Sequence, residues 1–133
     1  MTLTLKYADR EYVAMTVEQL LDAGVPEAII DAARVDQRLV AIKAECRRRI
    51  YAVASAETQM NMASMATIIG AKTASTRTEA EKAALSAFGM SLEWVQAMRA
   101  AVTTITADPT VDIAPDQTWP PCPTEVVDLA KSF

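Results

Sequence analysis

The chain has 133 residues, a formal net charge of −4 and a sequence pI near 4.8. That length fits one domain with modest additions, and the acidic balance excludes a whole-chain basic footprint for nucleic acid. There is no histidine, so the commonest general base and the commonest metal ligand are both missing.

The apolar half of the composition is rich in small and flexible residues, with 25 alanines and 7 methionines against 7 aromatics. Alanine and methionine favour helix. Each alanine buries little area, so such a core gains modestly per residue, while methionine fills irregular gaps. No apolar run approaches the roughly 20 residues that span a membrane. Met1 to Lys6 has no charged region followed by an apolar one, so no secretory signal is expected. Cys46 and Cys122 are too far apart in sequence, and too different in context, to make a disulfide framework or a metal spacing.

In chain order, Thr2 to Tyr7 alternates and Glu11 to Met15 is β-prone, with Ala8-Asp9-Arg10 as a turn between them. This predicts an N-terminal β-hairpin, which is marginal in water unless it packs elsewhere. Thr16-Val17-Glu18-Gln19 matches a capping box, and Gly24 supplies a left-handed stop after a short helix. Pro26 suits the first turn of the next helix. From there to Gly70 no proline or glycine intervenes.

Apolar residues in this span recur at Leu39, Ile42, Cys46, Ile50 and Val53, in steps of 3, 4, 4 and 3. That spacing argues against a simple left-handed coiled coil. A continuous helix over the span would be roughly 65 Å long, whereas a compact domain of this size has a radius of gyration of about 14 Å. Either the helix breaks near Ser55–Thr58, or it stays continuous and buries its stripe against partners. The second reading is preferred. Gln59-Met60-Asn61-Met62 places amides among methionines in mid-span. Gln59 and Asn61 read as a partly buried polar pair that sets helix register. The candidate partner or oligomer interface is therefore Leu39, Ile42, Cys46, Ile50, Val53, Gln59, Met60, Asn61 and Met62.

Thr76-Arg77-Thr78-Glu79 reads as a second capping box, opening a long helix to about Thr106 that folds back antiparallel. Gly89 within it points to a kink or a close helix–helix contact. Trp94 and Met98 are expected as packing anchors. Five prolines between Pro109 and Pro123 make an extended, Pro-rich tail, in which Trp119 docks as a third anchor. Thr124 then caps a short terminal helix. The expected fold class is mainly α. Its expected divisions are a hairpin with a short helix over 1–24, a helical hairpin over 25–107 and a Pro-rich tail over 108–133.

Chemistry-bearing constellations are sparse. Arg47-Arg48-Arg49 is the one strong charge run, but at 100° per residue it fans over about 200° and makes no flat basic face. Glu45 and Arg49 form a favourable i, i+4 pair. No carboxylate dyad, phosphate-binding glycine loop or nucleophile elbow is present. No catalytic residue, metal site or cofactor is expected, and the acidic charge argues against nucleic-acid binding.

Residues 42–69, with Glu45, Arg48, Arg49, Ile50, Gln59, Asn61 and Met62, resemble a helix in small proteins of tailed bacteriophages and gene-transfer particles. Trp94 and Arg99 are similar to a second element of those proteins, and Trp119-Pro120-Pro121 looks like their C-terminal end. The resemblance implies a non-enzymatic tail-fibre, baseplate or tail-tip structural protein, made in the bacterial cytoplasm and carried in the virion. It also implies other phage tail proteins as partners and homo-oligomers, with a trimer favoured. An assembly chaperone that leaves the particle is the alternative, and a small nucleic-acid-binding regulator is the second.

Overall fold

A computed structural model describes residues 1–133. It is mainly helical: strands β1 (Leu3–Tyr7) and β2 (Arg10–Met15) precede helices α1 (Val17–Asp22), α2 (Glu27–Val53), α3 (Ala56–Gly70), α4 (Glu79–Ala107) and α5 (Thr124–Ala130). The chain divides into two compact units, Met1–Lys43 and Ala44–Phe133. Their boundary falls inside α2. None of the helices is long and apolar enough to cross a membrane.

In the first unit β1 and β2 pair antiparallel. The turn is tighter than the sequence reading, because Ala8 and Asp9 alone form it and Arg10 already belongs to β2. Both turn residues have positive φ, 47° and 61°, which matches the right-handed strand twist in two-residue hairpins. The register slips between Leu3 and Leu5, where Ala14 also has positive φ and its N–H donates to Thr4 Oγ1 at 3.1 Å. That is the behaviour of a β-bulge.

The capping box at Thr16 forms as expected. Thr16 Oγ1 accepts from the Gln19 N–H at 3.2 Å, and Gln19 Oε1 accepts from the Thr16 N–H at 2.9 Å. At the other end of α1, Gly24 takes φ +83°. The Gly24 N–H donates to Leu21 O and the Val25 N–H to Leu20 O, the paired bonds of a Schellman stop. Leu20 and Val25 join Leu3, Leu5 and Ile30 in one core cluster, so the cap delivers both its apolar residues to the core. This packing is what a lone hairpin lacks.

The continuous 26–70 helix preferred from sequence does not occur. α2 ends at Val53 and α3 restarts at Ala56 with Ser55 as its N-cap. Ser55 Oγ accepts from the Thr58 N–H at 3.1 Å, and the Gln59 amide Nε2 donates to Ala54 O at 2.9 Å. The local polar side chains thus satisfy backbone groups that a break would otherwise orphan. In the second unit Ala54 and Met62 are buried with Ala130 of α5, against Val53, Phe88 and Leu129. The break therefore has a packing reason as well as a capping one.

α4 begins two residues later than the first capping signature suggests. Its N-cap is Thr78, whose Oγ1 accepts from the Glu81 N–H at 3.1 Å. Thr78-Glu79-Ala80-Glu81 carries the same signature, while Thr76 is spent in a 3₁₀ turn, bonding back to Thr73 O at 2.8 Å. α4 runs unbroken through Gly89, and Gly89 serves no close approach, since a Cβ there would meet nothing within 4 Å. α5 starts at Thr124 with Pro123, not Thr124, at its cap position, and no side chain caps it.

Candidate functional site

Two neighbouring arrangements in the second unit hold most of the residues singled out from sequence. The first is an electrostatic strap. Glu45, one carboxylate, accepts from Arg48 Nε and Nη2 at 2.8 and 2.7 Å and from Arg49 Nε at 2.7 Å. The Arg48 hydrogen bonds, with Arg49 adding to them, hold the Glu45 carboxyl down to about 2 against the opposing effect of burial. Arg49 also donates to Asp116 Oδ1 and to Ala114 O, both at 2.8 Å. Its guanidinium lies over the Trp119 ring, 5.7 Å from the centroid, close enough for cation–π attraction.

The arginine run is therefore split by its helical fan. Arg49 faces inward and ties down the segment around 114–119, Arg48 doubles the Glu45 contact, and Arg47 stacks over Tyr51 at 5.0 Å. Trp119 is only 5% exposed and donates its indole N–H to Ile113 O at 2.9 Å. Trp94, 7% exposed, donates to Pro120 O at 3.1 Å. The two indoles thus satisfy carbonyls of the proline-containing stretch, whose prolines supply no N–H donors of their own.

The second arrangement is a cleft of about 360 Å³ among α2, α3, α4 and α5. Ile50 and Val53 of α2, Gln59 and Met62 of α3, and Trp94 and Arg99 of α4 all border it. These residues come from two sequence segments that lie about forty positions apart in the chain. Helix α4 positions its share through a regular heptad-like rhythm, with Ala87, Ser91, Trp94, Met98 and Ile105 buried. Ser91 in that row returns its hydroxyl to Phe88 O at 2.6 Å, which lets a polar residue sit buried.

The nine expected interface residues divide by environment. Ile42, Cys46 and Met62 are buried by the chain itself, at 0%, 5% and 3% exposure. Leu39, Ile50, Val53 and Gln59 are half-buried, and Met60 and Asn61 are exposed. Gln59 and Asn61 do not make a buried polar pair, because Gln59 turns back to Ala54 O and Asn61 faces outward. Met98, the remaining expected anchor, is fully buried.

Neither thiol has the surroundings of a nucleophile. Burial pushes the Cys46 thiol up, with Arg99 pulling weakly the other way, and the thiol lies 3.6 Å from Met98 O. Burial likewise pushes Cys122 up. Reactive thiols are those driven down. No group of three or more Cys, Asp or Glu side chains is arranged to hold a metal ion.

Arg77 is a structural residue the sequence reading missed. It donates to Ile69 O and Gly70 O at 3.2 Å and to Lys72 O at 3.0 Å, closing the carbonyl end of α3. A cation just past a helix C-terminus was the available signal. No protein-family model matches this sequence, and no curated protein matches it either.

Proposed function

We propose that this chain is a non-enzymatic structural protein of a phage tail, of the tail-fibre, baseplate or tail-tip kind. In this reading it holds its neighbours through the cleft bordered by Gln59, Met62, Trp94 and Arg99. The observation that carries the reading is the convergence of those residues, named by the resemblance from two separate sequence segments, on one 360 Å³ depression. The Pro-rich stretch from 108 to 123 serves as a strap over the second unit, held by Arg49, Trp94 and Trp119. Self-association into a trimer uses Met60 and Asn61, the expected interface residues that are exposed and lie outside the cleft.

Mass spectrometry of purified particles tests the reading. The chain is expected among the virion proteins in fixed ratio to another tail component. Its presence during assembly but absence from finished particles would replace this reading with the alternative, an assembly chaperone. The regulatory nucleic-acid reading has less support, because Arg48 and Arg49 are already committed to Glu45 and Asp116. A DNA titration is expected to show none of the steep salt dependence that phosphate contacts produce.

A further inference from the structure

The cleft of the second unit has a single charged residue in its wall, Arg99. Arg99 takes part in none of the chain's ion pairs, although Asp and Glu outnumber Lys and Arg by 17 to 13. Carboxylates are thus plentiful, and none is placed against this guanidinium. The depth of the cleft is apolar, with Ile50, Met62, Phe88 and Val95 among its lining. The apolar lining opens to solvent at its edge. Leu92 at the lip is 52% exposed and Ala63 is exposed as well.

Three features select the occupant. The volume lies at the lower end of the ~300–1,000 Å³ typical of small-molecule pockets, room for an anchoring side chain. Leu92 and Ala63 leave the edge of the lining open to solvent, which suits a body attached to that anchor. The unpaired guanidinium calls for a carboxylate, which arginine binds with its planar fork of donors.

We propose that the cleft receives an acidic amphipathic segment of another protein. That segment presents one apolar side chain to the cavity and one Asp or Glu, about a helical turn away, to Arg99. The inference rests on the partner-holding reading above and specifies what the partner must carry. Charge complementarity sets the order of events. In an acidic chain Arg99 is a local attractive point, so the carboxylate guides the segment and the buried anchor retains it.

The test places the photoreactive amino acid benzoylphenylalanine at Gln96, an exposed position in the cleft wall, in the full-length chain made in cells where particles assemble. The same probe at Ala63 is the second position. Thermal melts confirm that each altered chain folds. After irradiation the adduct is digested and sequenced.

The expected adduct is a peptide of a different protein, crosslinked at an apolar residue with Asp or Glu within four positions. Arg99→Gln should lower its yield about fivefold, the range an exposed ion pair contributes, and Arg99→Lys should restore part of it. An adduct to a second copy of this chain, a lipid adduct, a basic or uncharged peptide, or no adduct from either position in folded chains would overturn the proposal. So would a yield indifferent to Arg99→Gln. The tail reading is judged separately by particle composition: an acidic-segment adduct from a chain absent from virions would keep this site and remove that reading.

Discussion

Glu45 accepts from two guanidinium groups at once, which makes its contribution to stability sensitive to acid. Its carboxyl is held down to about 2 from an ordinary value near 4.5. A group depressed on folding stabilises the folded state above its unfolded value and loses that contribution as pH falls through the folded one. The Glu45 contribution should therefore be complete above about pH 4.5 and fade toward pH 2. Glu45→Gln should cost about 1 kcal/mol at pH 7, the upper end for a partly exposed ion pair, measured by urea denaturation. Its deficit against the parent chain should shrink as the pH is lowered across that window. An unchanged deficit at pH 3 would mean that Glu45 acts through packing rather than charge. Arg49 is the pivot of the same cluster. It joins Glu45 on its own helix to Asp116, Ala114 O and the Trp119 ring, so one side chain decides where the 114–119 segment lies.

At the scale of elements, the ends of helices carry most of the specification. α1 is only six residues long, too short to persist on propensity alone. It is fixed by a reciprocal cap at one end and a Schellman stop at the other. Gly24 has no close neighbours and φ +83°, so Gly24→Ala tests backbone conformation without a steric clash. A loss of about 1 kcal/mol is expected from denaturant melts, and a neutral result would mean the stop relaxes to another geometry. The α2–α3 junction obeys the same logic. Ser55→Ala removes the N-cap acceptor for the Thr58 N–H and should cost about 1 kcal/mol. If the junction were an accident of packing, with no contribution from the cap, that substitution would be silent.

For the whole molecule, the chain has already buried much of the stripe that seemed to require partners. Ile42, Cys46 and Met62 have almost no surface to offer. Val35 and Val40 in the first unit, and Met60, Ile68 and Leu92 in the second, are each more than half exposed. Isolated apolar residues at a surface are ordinary, whereas contiguous ones mark contacts. Light scattering across micromolar concentrations checks the self-association proposed here. A mass that rises toward three chains is expected, and Met60→Lys should lower it. A single-chain mass at every concentration would leave the acidic-segment site standing and remove the trimer.

Much of this architecture was legible in local chemistry, because caps, turns and helical periodicity depend on residues within a few positions of one another. The hairpin, the Thr16 capping box, the Gly24 stop, the Glu45–Arg49 pair and the burial of Trp94, Met98 and Trp119 all follow from such short-range signals. What the sequence could not decide was competition between local options. Ser55 and Gln59 can sit within a continuous helix or cap a break, and the two differ by only a few hydrogen bonds. The packing of Ala54 and Met62 against Ala130 tips that balance. Thr76 and Thr78 offer overlapping capping signatures, and the tertiary structure uses the second. The single cleft shared by α3 and α4 depends on contacts across some forty residues, and spacing along a chain does not encode distances of that kind.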